Sequence, residues 1–188
     1  EPGSPGYINI LTDLGWSSSS ARDFKKAEEL LTQALQQVEK LRSTNPAQYQ
    51  SLSARTLYYF SVLAWNRHDP VLALQLAERS LGIYENIRDD YNTAKTSQFI
   101  ATLWWQRGEL DKARDIYQRY LPHHRKTGDV YYMLRTLQGL GLISQDEGEW
   151  DKAYNYFLEA SSLAERIHDT AALADLCSNI AMAADERG

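Results

Sequence analysis

The chain has 188 residues, enough for one sizeable domain, and its 43% hydrophobic and 24% charged content excludes wholesale disorder, collagen-like and disulfide-scaffold classes. A formal charge of −5 and an isoelectric point of about 5.4 are a poor basis for holding phosphate backbones or anionic lipid, so nucleic acid and membrane are excluded as partners. The single cysteine, Cys177, closes no intramolecular disulfide, and the longest apolar run, Leu57 to Trp65, falls well short of the roughly 20 residues that span a bilayer; the expected setting is reducing and cytoplasmic.

In chain order, the opening Glu-Pro-Gly-Ser-Pro-Gly of residues 1–6 has linker composition, and no signal peptide is expected. From residue 7 onward one pattern repeats. A column of alanines, Ala27, Ala73, Ala113 and Ala153, is spaced by 46, 40 and 40 residues. Twelve or thirteen residues before each stands a large-small pair: Leu14-Gly15, Phe60-Ser61, Ile100-Ala101 and Leu140-Gly141, with a fifth at Ile180-Ala181. Apolar residues recur at three- and four-residue steps on both sides of each turn, so every unit reads as two amphipathic helices. The units span about 7–45, 46–88, 89–128, 129–168 and a half unit 169–188.

Within the first unit, Ser17 to Ser20 fall where the first helix ends, since serine competes for helical hydrogen bonds. Its link to the second unit carries six extra residues, around Arg42 to Gln50 with Pro46, expected as an extended second helix or a loop. Pro70 suits the first turn of a helix, Gly108 and Gly148 suit helix ends that need a left-handed backbone, and His68 and Gly188 share their column. Asp89, Asp129 and Asp169 are expected to cap the next first helix. The small members of the pairs let helices approach closely, which makes Gly139 and Gly141 packing glycines and no phosphate loop.

A large-small pair, a glycine seven residues after the small residue, an alanine five further on and an aromatic (Tyr117, Phe157) four later together resemble the tetratricopeptide repeat, in a variant with a 40-residue period found in scaffold proteins and in sensor arms of bacterial signalling regulators. The resemblance implies an all-α fold, an α-α superhelix of four helix pairs followed by a lone C-terminal helix, acting as a non-catalytic module that binds proteins or peptides in a concave groove lined by first helices. The alternative it implies is a sensor or autoinhibitory arm of a larger multidomain signalling ATPase or transcription regulator. Transferred onto this sequence, the groove positions include Arg55, Tyr58, Tyr59 and Trp65 in the second unit, Lys95, Gln98, Phe99, Thr102 and Trp105 in the third, and Arg135 and Gln138 in the fourth. Trp65 and Trp105 are expected side by side, and Arg55, Lys95 and Arg135 as a basic column suited to an acidic partner segment. Tyr58, Val62, Phe99 and Gly139 occupy several places where the two-carboxylate clamp for chaperone C-termini needs its amide and basic residues, which sets that subclass aside.

Catalysis has little to stand on. His123 and His124 are adjacent on a helix, about 100° apart and wrongly disposed for a shared metal, while His68 and His168 sit in turns. No phosphate loop, zinc-protease motif or nucleophile elbow occurs, so neither catalytic residue, metal nor cofactor is expected. Cys177 shares the inward column of Leu57, Ser97 and Leu137 and is expected as a packed thiol; His123 to Lys126 are expected as a solvated helix end. Leu176, Ile180 and Met182 spread apolar surface around the last helix, from which the native protein is expected to continue past Gly188.

Overall fold

The computed structural model describes residues 3–187. The linker expected at residues 1–6 lies partly outside that range and the column glycine Gly188 wholly outside. Nine helices and no strand are present among the described residues: α1 Pro5–Ser20, α2 Phe24–Glu39, α3 Pro46–Asn66, α4 Pro70–Asn86, α5 Asp90–Gln106, α6 Leu110–Thr127, α7 Val130–Asp146, α8 Trp150–Arg166 and α9 Thr170–Arg187. No helix is long and apolar enough to cross a membrane among the described residues. The chain forms two compact units whose boundary, between Thr96 and Ser97, falls inside α5.

The turns obey one local rule. In every turn between helices except that between α2 and α3, a residue with a left-handed backbone ends the turn and an acidic residue follows it. Gly108, Gly128 and Gly148 hold φ of +75°, +71° and +73°, while Arg22, His68, Arg88 and His168 adopt +57° to +62° without being glycine. Asp23, Asp69, Asp89, Asp129 and Asp169 then accept the backbone N–H three residues on, at 3.0–3.2 Å. These bonds satisfy donors that a helix start leaves orphaned. Glu109 and Glu149, one methylene longer, occupy the same position without a side-chain cap. A β-carbon at positive φ is strained, so His68→Gly is expected to raise stability by about 0.5–1 kcal/mol in a urea titration. An unchanged midpoint would show that the turn stores no strain.

The six extra residues between α2 and α3 form neither a longer α2 nor a simple loop. α2 stops at Glu39, residues 40–45 make a turn, and α3 starts early, at Pro46 behind the cap Asn45, to reach 21 residues. Proline in the first helical turn and an asparagine whose Oδ1 accepts from Gln48 N at 3.2 Å fix that start.

In unit 1 two apolar clusters hold the pairs together, one around Ile8, Leu11, Ala34, Val38 and Leu52, the other around Ala27, Leu31 and Leu63. Thr12 and Thr56 hydrogen-bond across α1 and α3 with both side chains buried. In unit 2 one cluster runs from Ala101 through Phe157 to Ala183. The alanine column is fully buried, with Ala27, Ala73, Ala113 and Ala153 all at 0% exposure.

Two expectations about single side chains are overturned. Cys177 is exposed: in α9 its face receives no later helix among the described residues, whereas Leu57, Ser97 and Leu137 in the same column are buried. His124 is buried at 1% exposure and is no solvated terminus; its ring lies 6.5 Å from Tyr120, near-parallel, and 6.1 Å from Tyr132, with Nδ1 lacking a hydrogen-bond partner. Burial pushes the His124 imidazole below its ordinary range, with Asp129 pulling the other way and His123 adding to the depression. The imidazole protonates near pH 6.5 in an unfolded chain, so stability present above that pH is lost as the pH falls from there through the lower folded value. Urea midpoints at pH 7.5 and 5.5 are expected to diverge in the wild type and to draw together in His124→Phe; equal divergence in both would contradict the assignment.

Candidate partner-binding site

All eleven predicted site residues, on α3, α5 and α7, are half-buried. In unit 1 they gather around a pair of tyrosines. Adjacent on α3, Tyr58 and Tyr59 meet edge to face with centroids 5.3 Å apart, and Trp16 of α1 approaches Tyr59 at 6.0 Å. Two cations flank the rings. The Lys95 ammonium stands 4.4 Å from the Tyr58 centroid and 4.9 Å from that of Tyr59, and donates to Tyr59 Oη at 3.4 Å. The Arg55 guanidinium lies 5.9 Å from the Tyr59 centroid. Such cation–ring contacts are worth about 0.5–2 kcal/mol, depending on how dry the site is.

Arg55 also donates to Asn9 Oδ1 at 2.7 Å and pairs with Asp13, both on α1. Arg55 is therefore partly neutralised where it stands. Sequence reading missed Asn9, Asp13 and Trp16, although a signal was present: each lies 46 residues before Arg55, Tyr59 and Val62, the spacing that relates the first two alanines of the column. Behind the cluster Tyr84 is buried, and burial together with Asp89 pushes its hydroxyl far up. Trp65 is elsewhere in unit 1, lining a cleft of about 620 Å³ with Ser19, Phe24, Asn66 and His68, where Asn66 Nδ2 donates to Ser19 Oγ at 3.0 Å.

In unit 2 the predicted residues divide. Gln98 and Thr102 turn to Tyr117 Oη, at 3.5 and 3.4 Å, and Thr136 reaches Gln98 Oε1 at 3.4 Å, so these two serve an internal network. That network fits because Gly139 leaves room for the Tyr117 ring: a β-carbon there would lie 2.4 Å from Cζ. Burial in turn raises the Tyr117 hydroxyl. Trp105 instead donates its indole N–H to Asp146 Oδ2 at 2.7 Å. Arg135 donates to Gln138 Oε1 at 3.2 Å, lies 5.4 Å from the Tyr131 centroid and stands 3.9 Å from Asp169. Phe99 lies beside Gln98 on α5 and is half-buried like the rest. Among the described residues no group of three or more His, Cys, Asp or Glu could hold a metal ion.

The comparisons with known proteins bear on architecture. Residues 136–169, from the C-terminal part of α7 to the turn before α9, match the tetratricopeptide repeat family. No curated protein matches the sequence. Among solved structures, the chain is similar to a signal-transduction ATPase with numerous domains and a tetratricopeptide repeat sensor from Pyrococcus horikoshii, with 17% identity and a TM-score of 0.83 over 94% of this chain and 26% of that one. It is similar to BtubC (BKLC) from P. vanneervenii at 19% identity and a TM-score of 0.79, covering 96% of this chain and 72% of that one. The Rap conjugation gene regulator of plasmid pLS20, solved with the Phr* peptide, gives 15% identity and a TM-score of 0.66 over 95% of this chain and 53% of that one. The chain thus spans about a quarter of the signalling ATPase it resembles. With its helix pairs, capped turns and close-packed small residues, the chain has the all-α fold of tetratricopeptide-type repeat arrays, the α-α superhelix class.

Proposed function

We propose that this chain is a non-catalytic, cytoplasmic protein- or peptide-binding module, one repeat domain over residues 7–188, whose first helices present the partner-binding residues. The observation that carries the reading is the half-buried Tyr58–Tyr59 pair with Lys95 and Arg55 against its rings, because rigid aromatic surface beside charge is the composition of binding hot spots. Trp105 and Arg135 extend the same chemistry in unit 2. Arg55 and Arg135 already face Asp13 and Asp169, so an acidic partner segment competes with carboxylates in place, and the rings supply more of the affinity than the charges do. Peptide binding by the Rap regulator supports a peptide ligand. The second reading, a sensor or autoinhibitory arm acting on other domains of a parent chain, is favoured by the likeness to a signalling ATPase that carries a tetratricopeptide repeat sensor.

Capture of partners from extract on the immobilised chain, compared between wild type and Tyr58→Ala/Tyr59→Ala/Trp105→Ala, tests the proposal. A partner lost with the triple variant while its far-UV circular dichroism holds is the expected result. Capture unchanged by the variant would refute this site.

A further inference from the structure

The face of unit 1 made by its second helices carries a cleft of its own. Between α2 and α4, over α3 as the floor, runs an apolar cleft of about 440 Å³ lined by Leu35, Tyr49, Leu57, Phe60, Leu76 and Ile83. A second depression of about 380 Å³ shares Phe60 and Leu72 with it and continues to the Glu28–Arg67 ion pair.

The repeat explains why this seam is open. In unit 2 the corresponding helices, α6 and α8, are tied by Arg125 and Glu159 at 2.7 Å, twelve and six residues after Ala113 and Ala153. The same two columns in unit 1 hold Glu39 and Arg79, an opposite-charge pair with its polarity reversed. That bridge is not made. Glu39 turns instead to Arg42 at 2.8 Å, and Arg79 has no ion partner among the described residues. The spacing between Ala27 and Ala73 is 46 residues against 40 in the later units, the difference being taken up by the turn at residues 40–45, which carries Arg42, and the early start of α3.

An apolar cleft whose rim carries Arg79 without an ion partner, and Glu39 already turned to Arg42, complements a ligand with apolar side chains and a carboxylate placed at Arg79. Its length favours a chain over a compact molecule: Tyr49 to Leu63 covers fourteen steps of α3, about 21 Å, the span of some six or seven extended residues. We propose that the α2–α4 seam of unit 1 is a second docking site, for an extended peptide segment that seats apolar side chains on Leu57, Phe60 and Leu76 and pairs an acidic side chain with Arg79. It is separate from the first-helix site proposed above and does not depend on it.

Selection of a phage-displayed random nonapeptide library on the immobilised wild-type chain tests the proposal, followed by fluorescence anisotropy of the enriched peptides. Leu72 is 42% exposed and Arg79 is exposed, so Leu72→Glu and Arg79→Glu keep the fold, which circular dichroism verifies. The expected peptides carry Asp or Glu beside apolar residues, bind at least tenfold more weakly to either variant, lose affinity with salt through Arg79, and are indifferent to Tyr58→Ala/Tyr59→Ala. Failure to enrich any sequence, or enriched peptides indifferent to Leu72→Glu and Arg79→Glu, would overturn it. Peptides lost only with the tyrosines would overturn it while supporting the first-helix site.

Discussion

Replacing Gly141 with alanine is expected to destabilise the protein by about 2 kcal/mol, although alanine is the better helix former by about 1 kcal/mol. The added β-carbon would stand 2.4 Å from Phe157 Cε1 and 2.6 Å from Cδ1. Phe157 is fully buried and cannot swing aside, so the ring, α7 or α8 must give. Gly82 of α4 provides the contrast, because nothing lies within 4 Å of its missing β-carbon. Gly82→Ala is therefore expected to stabilise by about 0.5–1 kcal/mol. Urea denaturation of both variants decides the matter, and Gly141→Ala combined with Phe157→Leu should recover part of the loss if the clash is its cause. A Gly141→Ala midpoint equal to that of the wild type would contradict the close approach of α7 and α8.

Tyr58→Ala with Tyr59→Ala is expected to lower affinity for a first-helix partner by about a hundredfold, the loss of roughly 2–3 kcal/mol typical of an aromatic hot spot. The tyrosine rings carry the contacts of Lys95 and Arg55, so removing both leaves the cations without the surface that orients them. Lys95→Glu should do less, and its effect should shrink as salt rises, because a rim charge acts through screened attraction. A titration at two salt concentrations separates the contributions. Equal losses at both would mean that Lys95 acts by packing and not by charge.

The repeat made much of the architecture legible. An aspartate before a helix and a glycine at its end have few physical uses, so Asp89, Asp129, Asp169, Gly108 and Gly148 declared their roles. Arg22 and Arg88 adopt the same backbone as those glycines without any such signature; only their place before an aspartate cap marks them. The turn after α2 was hidden because Pro46 reads equally as a loop residue and as the first residue of a helix, and the Asn45 cap decides between them. Cys177 failed because a column predicts which way a side chain points, while its exposure depends on what the next helix brings; His124 failed because a basic run at a helix end does not tell which of its residues faces the core. The candidate site residues could be named individually from the resemblance. Their partners could not, since the carboxylates opposite Arg55 and Arg135 come from α1 and from the turn before α9.

The central claim is that the first helices, through Tyr58, Tyr59 and Trp105, bind a protein or peptide partner. Its most direct test is amide hydrogen exchange on the purified chain, alone and saturated with a captured partner. Protection should appear on complex formation along α3 from Arg55 to Asn66 and around Trp105 of α5, and should vanish with Tyr58→Ala/Tyr59→Ala/Trp105→Ala. A saturated complex in which these segments exchange as they do in the free chain would contradict the account.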